Sequence, residues 1–421
     1  MKLLVLGIGR SSVYLLQYIQ QYLIPSGTVE CTAIDSNPEL LLKRQQEFPS
    51  IQFVNASIEE ILPSHDIIIS LLPPSEHIKV IRLCLQYHKH FFSASYATPE
   101  IKALHQQALD KGILIAMEAG LDPGIDHMSA LDILQKIQTS GGHITSFESY
   151  TGGLIHPDSS NPPWNYKISW NPKNVVLAGQ GGDAIFLLEG KKQNVSYAQL
   201  FKETSHWKID NQTYEGYYNR DSLSYIPLYK LNNIQTFIRG TLRYPGYCEA
   251  WSCLVDKGIT QTNVTIPTSI KTEKDFWNYY MGTDYTSMSS FWNALGADSS
   301  ESLPTQLKSP AEVLQYLMEK YWKLSPQDKD RIVMIHRLRY TQQQKQFEVI
   351  SSLTVDGDNS SYTAMAKTVG LPLILWVELF IQKKYTSLGV QLPLTAEVYL
   401  PILEKLKDLG IQFKESSQQL P

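Results

Sequence analysis

The first 125 residues alternate short, uniformly apolar runs with amphipathic segments, and this pattern constrains the fold more than any other feature of the chain. Strands that are apolar on both faces are buried on both faces, and the helices between them supply the cover. The pattern therefore predicts an α/β fold with a parallel sheet between two layers of helices. The predicted strands span residues 2–6, 29–34, 51–54, 67–72, 91–94 and 113–117, and the predicted helices span 12–22, 40–47, 76–90 and 100–111.

Beyond residue 124 the pattern changes and predicts a second domain that mixes strands and helices. Strand-like runs at 144–150, 236–241 and 250–254 indicate a second sheet, which we expect a hairpin of 331–340 and 346–355 to join. Residues 271–330 carry many aromatic side chains at helical spacing and predict a small helical subdomain with an aromatic core. Two further helices are predicted at 364–384 and 395–409.

Charge, cysteine usage and hydropathy exclude several classes of protein. Lys and Arg total 37 against 41 Asp and Glu, and the net charge of −4 argues against a general nucleic-acid binder. The four cysteines form no CxxC pair, which fits a reducing, cytoplasmic compartment and predicts no zinc site. The apolar segment 371–381 contains Glu378 and is far shorter than the roughly 20 residues of a membrane span. We therefore expect a soluble protein without a metal, nucleic-acid or membrane partner.

A glycine-containing loop joins the first predicted strand to the first helix, where dinucleotide-binding proteins hold a pyrophosphate. The first glycine permits a tight turn, the second lets the backbone approach the ligand, and a small residue replaces the third. The alternative is a glycine turn that binds nothing. The predicted cofactor residues of this loop are Gly7, Ile8, Gly9, Arg10, Ser11 and Ser12.

Asp35 ends the second predicted strand and bears on the choice of dinucleotide. A carboxylate at this place can accept hydrogen bonds from the ribose hydroxyls of NAD and repels the 2′-phosphate of NADP. The alternative is that Asp35 only caps the turn at residues 36–38. Lys43 and Arg44 on the following helix leave NADP open.

The distribution of arginine suggests a substrate with several carboxylates. There are nine arginines against 28 lysines, and Arg220, Arg239 and Arg243 fall within 24 residues. Arginine binds carboxylates through a planar, bidentate fork. Residues four apart on a strand share a face, so Arg239 and Arg243 are expected on the same side. The alternative is a set of ion pairs, such as Arg220 with Asp221 or Arg243 with Glu249.

The loop from Asp122 to His127 enters a predicted helix. Pro123 suits the first helical position, so the alternative role of Asp122 is that of a helix N-cap. We expect His127 to be structural.

Several motifs together resemble the saccharopine reductase family, the glutamate-forming saccharopine dehydrogenases of lysine metabolism. They are Ser95-Tyr96, GLDPGIDHM at 120–128, YTGGL at 150–154, YKISW at 166–170, NRDSLSY at 219–225, RGTLRYPG at 239–246, TAMAKTVGLPL at 363–373 and GVQLP at 389–393. The likeness spans nearly the whole chain, and GLDPGIDH and RGTLRYPG are long enough to be specific.

The resemblance implies three domains and a reaction. A Rossmann-type domain would comprise 1–125 and a C-terminal return at 385–421, a substrate domain 126–270 and 331–384, and a helical subdomain 271–330. The reaction would interconvert saccharopine, NAD(P)+ and water with 2-aminoadipate 6-semialdehyde, glutamate and NAD(P)H. Saccharopine carries three carboxylates, in keeping with the arginines.

The resemblance also implies site residues. Substrate contacts would fall on Ser95, Tyr96, Asp122, Arg220, Thr241, Leu242 and Arg243, and further cofactor contacts on Asp35, Ala56, Leu71, Leu72, Leu121, Ser169 and Trp170. Tyr96 and Asp122 are the candidates for moving protons or orienting water. Fungal members carry Cys where this chain has Thr151, so no thiol role carries over. The family's usage suggests NADP, whereas Asp35 favours NAD.

Two other functions remain open at this level. One is a related imine-reducing dehydrogenase of the carboxynorspermidine type, whose substrate has fewer carboxylates. The other is a non-catalytic, nucleotide-binding relic of the fold. The oligomeric state, a homodimer among the options, is also open.

Overall fold

A computed structural model describes residues 1–282 and 288–421. The described chain divides into two compact units: Met1–Ser140 with Ser361–Phe413, and Gly141–Ser360 with Lys414–Pro421. Strands and helices are numbered below in chain order through both units. Five positions of the predicted helical subdomain, 283–287, lie outside the described residues.

The first unit is built on a seven-stranded sheet in the order β15-β6-β5-β4-β1-β2-β3. Every neighbouring pair in it is parallel, so all the strands end at one edge. The predicted α/β fold is confirmed. The strands are β1 Lys2–Leu6, β2 Glu30–Ile34, β3 Gln52–Val54, β4 Ile67–Ser70, β5 His90–Ser93, β6 Leu114–Ala116 and β15 Gly389–Gln391.

Helices cover this sheet and close its core. The first is a continuous helical segment: a 3-10 turn at Arg10–Ser12, α1 at Val13–Tyr18 and a π-helical turn at Ile19–Leu23. The others are α2 Pro38–Glu47, α3 Ile58–Ile61, α4 Pro74–Tyr87, α5 Pro99–Lys102, α6 His105–Asp110, α7 Ile125–Thr139, α15 Ala364–Ile381 and α16 Ala396–Asp408.

Helix α15 is the most apolar helix of the first unit. By length and composition it could cross a membrane, but 67% of it is buried inside the protein. It packs on the helical segment after β1, where the α-carbon side of Gly370 lies against the backbone of Ser11 and Leu15. Most of its apolar surface is thus buried within the protein, as in the core helix of a globular domain.

The second unit is built on a mixed sheet in the order β10-β11-β12-β7-β13-β14-β16, with β8 and β9 attached beside β12. Strands β12 and β7 are parallel and the other neighbours are antiparallel. The predicted hairpin joins the sheet as expected. The strands are β7 His143–Ile155, β8 Ala184–Leu188, β9 Lys191–Val195, β10 Ser205–Ile209, β11 Gln212–Tyr218, β12 Thr236–Arg243, β13 Asp330–Gln342, β14 Lys345–Asp356 and β16 Lys414–Gln419.

An aromatic core joins this sheet to the helices of the second unit. Trp164, Trp251, Trp277, Trp292 and Trp322 are all buried in it, as the sequence predicts for the aromatic region. The helices are α8 Pro172–Val176, α9 Tyr197–Leu200, α10 Tyr225–Leu228, α11 Tyr247–Asp256, α12 Glu273–Met281, α13 Ser289–Asn293 and α14 Pro310–Tyr321.

The prediction of a strand at 250–254 is wrong, because these residues belong to α11. Tyr247, Ala250, Trp251 and Leu254 are buried at helical spacing, and a strand pattern fits only the shorter window. Strands β8 to β11 were not predicted: β9, β10 and β11 contain many polar residues, whereas β8 is a short apolar run of five residues that carries no strand-specific signal.

The units differ from the predicted domain boundaries in three segments. Helices α7 and α15 group with the first unit, where α7 packs on α16 and α15 packs on α1. Strand β15 extends the first sheet, in line with the expected C-terminal return. Strand β16, also assigned to that return, pairs instead with β14 of the second sheet.

We predict that Gly240→Ala destabilises the protein. A Cβ at Gly240 would lie 2.1 Å from Cε1 of Tyr150, whose ring is buried and packed on Trp207. Overpacking of this kind costs about 1–3 kcal/mol. Urea unfolding should show a lower midpoint, whereas Gly9→Ala should not, because a Cβ there meets no atom within 4 Å. Equal midpoints for Gly240→Ala and the unchanged protein would contradict the packing described.

Candidate functional site

The loop after β1 has the geometry of a pyrophosphate cradle. Gly7 has φ +84, and a Cβ there would lie 3.3 Å from the backbone of Leu71, so a side chain is disfavoured. Gly9 is exposed, and the space above its α-carbon is open within 4 Å. Ser12 is buried and its hydroxyl donates to Gly9 O at 2.9 Å, which closes the turn into the helix. The residues present therefore fit a dinucleotide.

Asp35 lies beside this loop at the end of β2. Its Oδ2 accepts from the backbone N–H of Ile8 at 3.1 Å, and its Oδ1 accepts from that of Asn37 at 3.0 Å. Asp35 therefore does cap the turn at residues 36–38. This capping uses only one of the two acceptor positions on each carboxylate oxygen. The carboxylate is held in place and keeps acceptor capacity for a ligand.

The other predicted cofactor residues divide between the two units. Ala56, Leu71, Leu72 and Leu121 follow β3, β4 and β6, so the parallel register places them along the edge that carries the glycine loop. Ser169 and Trp170 lie in the second unit. Ser169 is buried, and the Trp170 indole donates to the Tyr166 hydroxyl at 3.2 Å.

Tyr96 and Asp122 meet at the same edge of the first sheet. They follow the neighbouring strands β5 and β6, and the Tyr96 hydroxyl donates to Asp122 Oδ1 at 2.8 Å. Tyr96 is 46% exposed and Asp122 is partly exposed. Asp122 is not the N-cap of α7, because that helix begins at Ile125 and Gly124 precedes it. The pair is thus a polar, solvent-accessible group of a phenol and a carboxylate.

Glu118, which the sequence analysis did not single out, holds the two loops that carry this pair. It is buried, with Oε1 accepting from the backbone N–H of Ala97 at 3.0 Å and Oε2 lying 3.0 Å from Nε2 of His127. Glu118 N also donates to the backbone of Ser95 at 3.0 Å. His127 is fully buried in this network, in agreement with the structural role expected for it.

In the second unit, Arg243 is a buried cation surrounded by phenol rings. Its guanidinium carbon lies 5.2 Å from the ring centroids of Tyr166 and Tyr247 and 5.6 Å from that of Tyr217. Nη1 donates to Leu242 O at 2.8 Å and Nη2 to the Tyr217 hydroxyl at 3.3 Å. Nε is buried and finds no partner among the described residues. The Nε–H donor is therefore not used by the described residues and could bind an anion.

The alternative for Arg243, an ion pair with Glu249, does not form within the described chain. Glu249 is exposed. Glu215, which stands opposite Arg243 in the β11–β12 register, turns to the start of α11 instead. There it accepts from the backbone N–H of Cys248 at 2.5 Å and of Gly246 at 3.3 Å. The helix N-terminus therefore takes the carboxylate that would have neutralised the arginine.

The surrounding phenols do not neutralise this charge either. Burial raises the pKa of Tyr217 and of Tyr247, although the Arg243 guanidinium acts in the opposite direction. Both side chains are therefore neutral at physiological pH. A buried cation without a counter-ion is costly, which favours a site that an anionic ligand completes.

The remaining predicted substrate residues have different surroundings. Arg220 is exposed and donates to Gln180 O at 2.9 Å; it forms no ion pair with Asp221 within the described chain. Arg239 is buried, with its guanidinium 3.9 Å from the ring centroid of Tyr225. The Thr241 hydroxyl donates to Asn219 at 2.8 Å.

Two of the predicted substrate residues, Leu242 and Ser95, have groups that are already buried or hydrogen-bonded. The side chain of Leu242 is buried in the aromatic core and contacts the α-carbon side of Gly152. Ser95 is half-buried, and its backbone is engaged with Glu118 and with the Ser93 hydroxyl.

A buried histidine supports the loop after β4. His77 lies in the first turns of α4, with Nε2 at 3.4 Å from the Ser93 hydroxyl, which itself donates to Ser70 O at 3.0 Å. Burial lowers the pKa of His77 to about 4, although the nearby backbone carbonyl of Leu72, a potential acceptor for the ring N–H, opposes this shift. The sequence offers no signal for this role, because His77 is simply one position of an amphipathic helix.

Two family models match consecutive parts of the chain. The saccharopine dehydrogenase NADP binding domain matches residues 3–116, and the saccharopine dehydrogenase C-terminal domain matches residues 120–411. Together they confirm the resemblance drawn from the motifs.

Individual relatives were compared with the chain as well. The chain is 31% identical to the mitochondrial alpha-aminoadipic semialdehyde synthase of Rattus norvegicus over 99% of its own length and 48% of that protein. It therefore spans about half the length of these relatives. It is 29% identical to the saccharopine dehydrogenase [NADP(+), L-glutamate-forming] of Pyricularia oryzae, covering 92% of this chain and 93% of that one. The name of the Pyricularia oryzae protein specifies NADP as its cofactor.

Solved structures agree on the fold. The apo saccharopine dehydrogenase (L-Glu forming) of Saccharomyces cerevisiae matches with a TM-score of 0.89 and 25% identity, covering 99% of each chain. The homospermidine synthase of Legionella pneumophila matches with a TM-score of 0.58 and 10% identity, over 99% of this chain and 91% of that one, which shows a shared fold alone.

We predict that His77 makes the protein less stable in acid. Its folded pKa lies below the unfolded value, so between about pH 6.5 and 4 the unfolded chain binds a proton that the folded chain does not. The free energy of unfolding should therefore fall as pH falls through this window, and less so in His77→Gln. Urea midpoints at pH 7.5 and pH 5 measure the difference, with the exposed His206→Gln as control. The same acid loss in all three proteins would exclude His77 as its source.

Proposed function

The chain belongs to the saccharopine dehydrogenase family, and we propose that it is a glutamate-forming saccharopine dehydrogenase. It would interconvert saccharopine, water and an oxidised nicotinamide dinucleotide with 2-aminoadipate 6-semialdehyde, glutamate and the reduced dinucleotide. When bound, the dinucleotide supplies the hydride acceptor or donor. The observation that carries the proposal is Arg243, a buried guanidinium whose Nε has no hydrogen-bond partner and which has no carboxylate partner in the described chain.

Arg243 would bind one carboxylate of the substrate. Saccharopine is a secondary amine with three carboxylates. A guanidinium can bind one carboxylate through two parallel N–H···O hydrogen bonds. The tyrosines around Arg243 would exclude water from that contact and so strengthen it. Thr241 on β12 and Arg220 in the loop after β11 are proposed further contacts.

Tyr96 and Asp122 would act on water and protons. Cleavage of the C–N bond requires that water adds to an imine carbon and that the leaving amine gains a proton. A phenol hydrogen-bonded to a carboxylate can orient the water and pass a proton to the carboxylate or back. Glu118 would keep the two loops in register for this step.

Assembly and location stay predictions. A homodimer is one expectation for the oligomeric state. The four cysteines are free thiols, in keeping with the cytoplasmic compartment expected from the sequence.

The activity itself is tested by following absorbance at 340 nm with saccharopine and each oxidised dinucleotide, and by identifying the amino acid released. Glutamate is the expected product. Turnover of a substrate with fewer carboxylates but not of saccharopine would favour the carboxynorspermidine-type alternative, and absence of dinucleotide binding would favour the non-catalytic one.

We predict that Arg243→Lys raises KM for saccharopine, because a lysine keeps the charge but loses the planar fork. Loss of a hydrogen bond to a charged group, worth about 1.5–3 kcal/mol, corresponds to at least about a tenfold rise. Arg331→Lys is the matched control, since Arg331 already pairs with Asp356 on the same sheet. Unchanged KM in a folded Arg243→Lys protein would refute the assignment.

We further predict that Tyr96→Phe and Asp122→Asn each lower kcat by about 10²-fold or more, the usual scale for a lost proton-transfer group. Dinucleotide affinity, measured by fluorescence titration, should remain. Normal turnover in both variants would mean that neither group moves a proton in the slow step.

A further inference from the structure

The carboxylate of Asp35 offers two vacant acceptor positions side by side. A carboxylate has about four lone-pair positions, and Ile8 N and Asn37 N use one on each oxygen. These two bonds fix the orientation of the group at the end of β2, next to the open space over Gly9. A pair of adjacent hydroxyls, such as the 2′- and 3′-hydroxyls of a ribose, matches two vacant acceptors. A 2′-phosphate does not, because it brings further negative charge and acceptors of its own.

Arg44 is one of the two cations, with Lys43, that leave NADP open in the sequence, and in the structure its guanidinium has other partners. Its side chain is only 5% exposed. Nε donates to Ile8 O at 3.3 Å and Nη2 to Gly9 O at 3.4 Å, so the guanidinium lies beneath the glycine loop and supports its carbonyls. Nη1 is hydrogen-bonded to the carboxylate of Glu47.

Glu47 offsets the positive charge of this helix. It binds Arg44 directly, and its Oε1 lies 3.9 Å from Nζ of the more exposed Lys43. The two cations of α2 thus share one carboxylate, and Asp35 adds a second negative charge nearby. A further cation, Arg10, is exposed on the glycine loop, where the pyrophosphate common to both dinucleotides would bind.

We infer that this chain binds a dinucleotide with a free 2′-hydroxyl, NAD(H), in preference to NADP(H). Asp35 accepts the ribose hydroxyls, while Arg44, held beneath the loop and paired with Glu47, does not compensate a 2′-phosphate. The inference rests on the proposed function for the use of a dinucleotide. It sets this chain apart from the relatives whose names specify NADP, and it assigns the difference to named residues.

The test is equilibrium binding of NADH and of NADPH to the purified full chain without substrate, followed by nicotinamide fluorescence. NADH should bind at least about tenfold more tightly, the scale of a hydrogen bond to a charged acceptor. Asp35→Asn removes the charge at constant size and should reduce that ratio about tenfold. Glu47→Gln leaves Lys43 and Arg44 without their carboxylate and should raise NADPH affinity severalfold with little change for NADH.

Asp66→Asn is the matched control. Asp66 also accepts from a backbone N–H, that of Lys2 at 2.8 Å, but at the opposite, amino-terminal edge of the same sheet. Its loss should leave the NADH to NADPH ratio unchanged. Thermal unfolding of each variant shows whether it is folded. If Asp35→Asn does not fold, the Glu47→Gln variant alone tests the inference.

The possible outcomes separate the two claims. If neither dinucleotide binds the folded protein, the proposed function fails. If NADPH binds as tightly as NADH or more tightly, the dinucleotide site stands but the inference is overturned. If NADH is preferred and neither Asp35→Asn nor Glu47→Gln changes the ratio, the assignment to these residues is overturned.

Discussion

The parallel register of the first sheet is the constraint on which the candidate site depends. Because every strand of that sheet runs in the same direction, the residues that follow β1, β2, β4, β5 and β6 all lie along one edge. Backbone N–H groups and carbonyls are unpaired where strands end, so polar side chains there find partners without breaking the ladder. The glycine loop, Asp35 and the Tyr96–Asp122 pair are brought to a common edge in this way, although 115 positions separate the first from the last in the chain.

The sequence predicted the first sheet well and the second less completely, for a physical reason. Strands buried on both faces, such as β4, are continuous apolar runs that cannot be mistaken for exposed segments. Strands β9 and β10 are half exposed, and their Lys and Ser residues hide the pattern. Helix α11 was misread because its apolar residues also fit a short strand. Strand β16 is fully exposed and charged, so only its pairing with β14 identifies it as a strand.

Those parts of the candidate site that lie in short sequence motifs could be predicted from the sequence. Glycines in a turn, an acidic residue at a strand end and an unusual arginine can be recognised along the chain. The phenols around Arg243 come from three separate segments, and the diversion of Glu215 to the start of α11 depends on a hydrogen bond that no spacing rule contains. Likewise, Arg44 looked available on its helix, and only the packed loop shows that its guanidinium supports carbonyl groups.

The assignment of segments to the two units has a consequence for synthesis on the ribosome. The chain passes from one unit to the other near residues 140, 360 and 413, and the first sheet gains its last strand only with Gly389–Gln391. The flank that α15 later covers is therefore still uncovered while residues 141–360, which include β7 to β14, are being made. The apolar surface around Leu15, on which Gly370 packs, is therefore covered only after residues 364–381 have been made.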